Sequence, residues 1–332
     1  IGVSANAYTT NDHTAYLYEC TDNFYEALDE FMDYVQHPYF TDENVEKEKG
    51  IIGQEIKMYD DYPEWKVYLN ALEAMYYKNP IKLDITGTVE TISHIDKDIL
   101  YKCYNTFYNP SNMCLVVSGD FEPEALLEEI KKRLIDKPQN GEIKRIFEEE
   151  PERIVKQNVE QQMNISRPIF TIGIKCKVPS QKERVKTHIA IEIILNYLIG
   201  ESSELYKELY HEGNLYSIPS LSYEFGENYA HILLSENSND PEGLFEKFRK
   251  KVEETKRYGI NEEDFERIKK MVYGEYVKEY NDVTCIARMF LSDFMKDINS
   301  FDYLEEIDVM DLNFVNQVLK NEFDLDKMVL SA

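Results

Sequence analysis

The chain alternates between two hydrophobic periods. Residues 5–20 read as a strand pair, Asn6-Ala7-Tyr8-Thr9-Thr10 and Thr14-Ala15-Tyr16-Leu17-Tyr18, with a polar turn at Asn11-Asp12. Phe24, Leu28, Phe31, Met32 and Val35 then fall at helical spacing, and His37-Pro38 closes that helix. Thr41, followed three residues later by Asn44, opens a second helix running to about residue 60. More helix is expected after Pro63, over 96–107 and over 122–134, and Ser111–Ser118 reads as a buried strand. In the second half, strands are expected near 154–164, 168–177, 214–225, 228–236 and 328–330. Helices are expected near 180–199, 203–212, 240–256, 261–280, 283–296 and 309–321.

Between the halves the pattern breaks. Lys137-Pro138-Gln139-Asn140-Gly141 is turn chemistry and Glu148-Glu149-Glu150-Pro151 a charge run, so 137–152 reads as a linker between domains at 1–136 and 153–332. The order strand pair, helix, long helix, helix, helix, strand occurs in both halves. Thr41-Asp42-Glu43-Asn44-Val45-Glu46 aligns with Asn261-Glu262-Glu263-Asp264-Phe265-Glu266, and the same offset of 220 sets Glu55 on Glu275. The period is a whole domain, which means a duplication. The second copy opens near Arg167 with a strand and a helix that the first copy lacks, so the first domain is expected to open roughly fifty residues before Ile1. A start at Ile1-Gly2-Val3, without Met, fits either a processed chain or a piece of a longer one.

Charge removes some function classes. The 332 residues include 63 acids against 37 Lys and Arg, a formal charge of −26. Phosphate neutralisation needs clustered cations, so neither nucleic acid nor an anionic membrane surface is an expected partner. Aromatic content of 13% with 25 Tyr argues for packed cores. No apolar run approaches the roughly 20 residues that span a bilayer. Cys20, Cys103, Cys114, Cys176 and Cys285 are widely spaced and odd in number, which reads as reduced core thiols of a cytoplasmic protein.

The helix after Thr41 carries the candidate chemistry. At about 100° per residue, Val45, Ile52, Ile56 and Tyr59 share a face, and Glu48 and Glu55, seven apart, fall within it. Carboxylates on a core stripe cost several kcal/mol unless paired. They mark either a partly exposed helix edge or a metal ligand with a supporting acid. The histidines at 13, 37, 94, 188, 211 and 231 form no H-E-x-x-H or H-x-x-E-H, and no nucleophile elbow or phosphate loop occurs. Ser202-Ser203 opens a helix and reads as an N-cap.

Several segments together resemble the M16 (insulinase/pitrilysin-type) zinc metallopeptidases. They are Asn6-Ala7-Tyr8-Thr9-Thr10…Thr14-Ala15-Tyr16, Glu46 to Ile56 as E-x-E-[RK]-x-x-I-x-x-E-[IM], Gly87 to Ile92, Phe107 to Met113, and Gly119-Asp120-Phe121. The resemblance covers nearly the whole chain and is strongest to bacterial members. It implies an α+β fold of two homologous domains of the mitochondrial-processing-peptidase type, antiparallel-rich sheets packed with helices, the first N-terminally truncated. It implies Zn2+ held by two His of an H-x-x-E-H and a later Glu. Glu55 matches that third ligand, and Glu48 the carboxylate that supports it. The H-x-x-E-H would lie roughly twenty residues before Ile1, so this chain alone is expected to bind no zinc and to be inactive. Asn6, Ala7 and Tyr8 match an edge to which peptide substrate adds as a strand.

One position departs from the family. Its L-R-x-x-x-G-L-x-Y pattern supplies an Arg and a Tyr that bind the substrate carbonyl. Leu209 to Tyr216 keeps the Tyr as Tyr216 but has Tyr210 at the Arg position. Either this half is weakened, or a homodimer or heterodimer partner supplies the pair. Two functions therefore stand: a zinc peptidase cleaving peptides in a chamber between clamshell halves, and a non-catalytic M16-like subunit or peptide-binding scaffold.

Overall fold

In a computed structural model that describes residues 2–137 and 143–332, the chain runs as follows. The first part holds β1 (Ser4–Thr9), β2 (Thr14–Glu19), α1 (Phe24–Gln36), α2 (Asp42–Asp60), α3 (Pro63–Met75), α4 (Val89–Ser93), α5 (Lys97–Phe107) and α6 (Pro123–Arg133). Then come β3 (Asn158–Val159), β4 (Ile169–Lys175), α7 (Arg184–Ile199), α8 (Glu204–His211), β5 (Ser220–Phe225) and β6 (Ala230–Asn237). The chain continues through α9 (Pro241–Tyr258), α10 (Glu262–Glu279), α11 (Val283–Met295), α12 (Asp302–Val309), α13 (Leu312–Glu322) and β7 (Met328–Ser331). Mixed helix and antiparallel-rich sheet make this an α+β fold. The turn residues Pro138 to Gly141 of the expected linker lie outside the described residues.

Two compact units form, and they do not follow chain order. One comprises Ile1–Met58, Ile85–Ile146 and Asp282–Met295; the other comprises Tyr59–Asp84, Phe147–Asn281 and Lys296–Ala332. The exchange is reciprocal. Helix α3 lies in the second unit and α11 in the first, and their boundaries, 63 to 75 and 283 to 295, differ by the repeat offset.

The duplication is visible in local chemistry. At α2, Asn44 N–H donates to Thr41 Oγ1 at 3.1 Å and Thr41 N–H to Asn44 Oδ1 at 2.8 Å, a reciprocal cap. At α10, 220 residues on, Asp264 N–H donates to Asn261 Oδ1 at 2.8 Å. Lys49 and Lys269 then repeat one tether: Lys49 Nζ donates to Ser93 O at the end of α4, and Lys269 Nζ to Asp308 O and Met310 O at the end of α12. Helix α12 was not visible in the hydrophobic pattern; the match to α4 shows what it is.

In the second unit, five strands in the order β3-β7-β4-β6-β5 form one sheet, all antiparallel except β3 with β7. Alternation divides β4 between two faces. Phe170, Ile172 and Ile174 join the core with Ile189, Ile193, Ile194 and Leu198 of α7. Gly173 and Lys175 face α3 instead. A Cβ on Gly173 would meet Met75 Cε and Val329 Cγ2 at 2.9 Å, so glycine is what lets α3 approach the sheet. Glu150, expected in a linker charge run, is instead paired with Lys175 at 2.6 Å. It also accepts from the backbone N–H of Tyr77, Lys78 and Asn79, while Lys175 donates to the carbonyls of Met75, Pro151 and Arg153. That knot ties the end of α3 to β4.

The first unit is thinner. Its sheet is the β1–β2 hairpin, with Ser4 opposite Glu19 and Thr9 opposite Thr14. Leu28, Met32 and Leu126 are its fully buried cluster, flanked by Phe24, Phe31, Val117, Phe121 and Ile130. The strand expected at 111–118 does not form: a short 3-10 turn at Pro110–Asn112 leads into irregular chain. A strand needs a partner edge for its ladder, and no described strand pairs with this segment. In the second half, the 154–164 expectation shrinks to β3, and 214–225 to β5 plus one bridge, Leu215 to Ser238. All five cysteines are free, and Cys103 is exposed, so it is no core thiol. Among the described residues no helix is long and apolar enough to cross a membrane.

Candidate active site

Helix α2 buries Val45 and Ile56 and half-buries Ile52 and Tyr59, the stripe that its spacing predicts. Glu48 and Glu55 are exposed, not enclosed in that stripe. They stand on its edge, beside Ile51 and Met58, which are 50% and 61% exposed. The physical reason is visible in the repeat. On α10 the positions of Val45, Glu48 and Ile52 are held by Phe265, Ile268 and Val272, all buried in the core that α7 shares. No described helix of the first unit covers α2 as α7 covers α10. Uncovered, the two carboxylates stay in contact with water and keep their hydration. Neither has a hydrogen-bond or ion-pair partner among the described residues.

The second copy shows what lies opposite that helix when it is covered. Glu192 of α7 is half-buried and accepts a hydrogen bond from Tyr276, and its enclosed Oε2 has no partner. Burial, joined by the charge of Glu275 and opposed by the Tyr276 bond, pushes its carboxyl up to about 7. Glu275 is the repeat of Glu55.

A zinc site needs three protein ligands converging on one point. Among the described residues no group of three His, Cys, Asp or Glu does so. Four of the six histidines are engaged elsewhere: His13 with Asp12 at 2.7 Å, His37 with Asp33 at 2.8 Å, His188 with Tyr303 Oη at 2.8 Å, and His231 with Tyr76 Oη at 3.0 Å. The residues present therefore do not fit zinc by themselves; Glu55 offers one carboxylate.

Asn6, Ala7 and Tyr8 lie on β1, whose residues are all exposed and which pairs only with β2 among the described strands. Its other edge is free of any described strand. The Ala7 N–H is taken by Asn6 Oδ1 at 2.8 Å, and the Tyr8 ring meets His13 edge-on at 5.8 Å. Burial, opposed by Arg288 and aided by Asp12, holds the Tyr8 phenol above its ordinary range.

In the second unit, Tyr216 and Tyr210 are both exposed, and no arginine stands on α8 beside them. A cation arrives from another element. The guanidinium of Arg167 lies 3.9 Å from the Tyr216 ring centroid. Pro168 is next in sequence to Arg167, and Ser238 N–H donates to Pro168 O at 3.0 Å. Asn239 follows Ser238 and donates through Nδ2 to Gly213 O at 3.0 Å and to Tyr216 Oη. Three segments thus meet at one aromatic ring. Sequence reading missed Arg167 because it sits 49 residues before Tyr216 with no shared motif. The only signal was its place at the opening of the second copy.

Comparison with known proteins gives these features a setting. Residues 1–89 match the model described as Insulinase (Peptidase family M16), and residues 94–272 that described as Peptidase M16 inactive domain. The chain is 37% identical over 335 residues to the uncharacterized zinc protease YmfH of Bacillus subtilis (strain 168), spanning 99% of this chain and 78% of that protein. It is 29% identical over 135 residues to the mitochondrial-processing peptidase subunit beta of Caenorhabditis elegans, covering 40% of this chain and 29% of that one. Among solved structures, an M16-like peptidase from Alicyclobacillus acidocaldarius superposes with a TM-score of 0.94 at 32% identity, covering 99% of this chain and 79% of that chain. With two family models laid end to end along it and a near full-length relative at this identity, the chain belongs to the M16 (insulinase) peptidase family.

Proposed function

We propose that this chain contributes the third ligand and the peptide-binding surfaces of an M16-type zinc peptidase. The observation that carries this reading is Glu55, exposed and unpartnered on α2 with Glu48 two turns away, in a chain whose relative bears the name zinc protease. Glu55 is the ligand and Glu48 the supporting carboxylate. Two histidines from an H-x-x-E-H outside these 332 residues complete the site, and this chain alone is inactive. Asn6, Ala7 and Tyr8 receive substrate backbone along β1, and Tyr216 receives it in the other half. The homologous halves are 1–136 and 153–332, and peptides are cleaved in a chamber between clamshell halves. We place the protein in the cytoplasm, as a homodimer or as a heterodimer with an M16-like partner that supplies an Arg/Tyr pair.

The test is elemental analysis after dialysis of the chain joined to its H-x-x-E-H segment. About one zinc per chain, lost in Glu55→Gln, is expected. An intact folded chain without zinc would favour the second reading, a non-catalytic M16-like subunit or scaffold. Tyr210 in the arginine position is the observation on that side.

A further inference from the structure

We propose that Arg167, stacked on Tyr216, supplies the cationic donor of a peptide-binding subsite in the second unit, in the place that Tyr210 leaves without one. The proposal rests on the peptide reading above and names a residue which that reading does not contain.

The geometry argues for a binding role over a structural one. A guanidinium lying on an aromatic face is fixed by the ring, while its N–H donors stay in its own plane. Those of Arg167 meet no carboxylate or carbonyl among the described residues, although the chain holds 63 acids. The carboxylate of Glu212, four residues before Tyr216, is taken by Lys247 Nζ at 2.5 Å. Tyr216 is prepared in the same way. Asn239 Nδ2 donates to Gly213 O, which fixes the amide orientation, since the flipped amide would set oxygen against oxygen. The same Nδ2 therefore donates to Tyr216 Oη, and the phenol's own proton remains free to donate outward. A fixed cation and a free phenolic O–H on one exposed ring suit an oxygen acceptor. On a peptide that acceptor is either a main-chain carbonyl or the C-terminal carboxylate. The backbone bond from Ser238 to Pro168 and the bridge from Leu215 to Ser238 hold the three contributing segments in register.

The experiment measures binding by fluorescence anisotropy with this chain and a labelled unstructured decapeptide rich in Lys and Leu, as free acid and as C-terminal amide. No metal is required. Arg167→Ala should weaken binding about tenfold, the scale of a charge-assisted hydrogen bond, and Arg167→Lys should restore only part of it. Tyr216→Phe should weaken it severalfold. The sign is discriminating. Removing a positive charge from a chain of −26 favours a basic peptide electrostatically, so Arg257→Ala, which deletes the guanidinium lying over Tyr258, should leave affinity unchanged or slightly higher. Loss with both peptide forms assigns the acceptor to a main-chain carbonyl, and loss with the free acid alone assigns it to the terminal carboxylate. Affinity unchanged in Arg167→Ala, or weakened equally in Arg257→Ala, overturns the proposal and leaves the peptide reading standing. No binding by the unsubstituted chain overturns both.

Discussion

Helices α2 and α10 occupy the same place in two copies of one domain, yet one is a surface and the other a core element. Both start on a side-chain cap, both tether the helix after next through a lysine, and both present an apolar residue at the first core position. They part at the next turn. Ile268 is fully buried, whereas its counterpart Glu48 is in water. Gly50 and Gly53 weaken α2 further, where α10 has Lys270 and Tyr273. The caps and tethers are local and survive in both copies. Burial is set by what lies across from the helix, and only the second unit has α7 and a five-stranded sheet there.

The strongest way to break this comparison is to write the first copy's residue into the second. Ile268→Glu sets a carboxylate in a core with no cation prepared for it. It should cost about 4 kcal/mol or more and unfold the second unit at ambient temperature, read as loss of a cooperative urea transition. A folded variant with a normal midpoint would mean that α10 is as loosely held as α2.

Next in size is the knot at Lys175. Its carboxylate partner is exposed to the backbone donors of three residues as well as to the ammonium. Lys175→Met should destabilise by about 3 kcal/mol, because it leaves Glu150 buried without its cation. Burial raises the Glu150 carboxyl, but the Lys175 and backbone bonds outweigh it and hold the group below its ordinary value. A depressed acid stabilises above its unfolded pKa and loses that contribution as pH falls through the folded one. The wild-type midpoint should therefore drop below about pH 4.5 by more than that of Lys175→Met, measured by urea melts across acid pH.

Glu192 gives the opposite sign. With its carboxyl pushed up to about 7, the folded state holds a proton that the unfolded state releases near the ordinary value of 4.5. Its contribution is complete below about pH 4.5 and is lost as pH rises through 7, a change of about 3 kcal/mol. Glu192→Gln should flatten that slope and raise stability at pH 8. Persistence of the slope in this variant would assign it to another group; His188, which burial pushes down to about 4, contributes a slope of opposite sign between about pH 4 and 6.5 and so is not that group.

These sites show where sequence reading reaches. Period and capping chemistry revealed α2, α10 and the offset between them, because caps and stripes are written within a few residues. The family motifs pointed to Glu48, Glu55 and Tyr216 for the same reason. Exchange of α3 and α11 between units was not legible, since each helix has the same amphipathic pattern whichever sheet it meets. Glu150 looked like one charge among three, and only its distant partner on β4 distinguishes it from Glu148 and Glu149. Arg167 carries no motif, and only tertiary structure sets it on Tyr216. The strand expected at 111–118 failed on the same principle, because alternation and β-branching describe a strand but do not supply its neighbour.

The reciprocal substitution sharpens the comparison with its smallest effect. Glu48→Ile copies the second unit's core residue into the first, where the side chain meets water in both forms. Intrinsic helix propensity differs little between Glu and Ile, and no ion pair is lost, so the change in stability should lie within about 0.5 kcal/mol. Thermal melts of this chain test it directly. A gain of about 1.5 kcal/mol or more would show that the position is covered after all, since only burial of the new methyl groups yields that much. A null result alongside the collapse of Ile268→Glu would establish that burial at this position is set by what surrounds each helix. In that case packing in the first unit does not require a carboxylate at position 48, which is the outcome the proposed supporting role of Glu48 predicts.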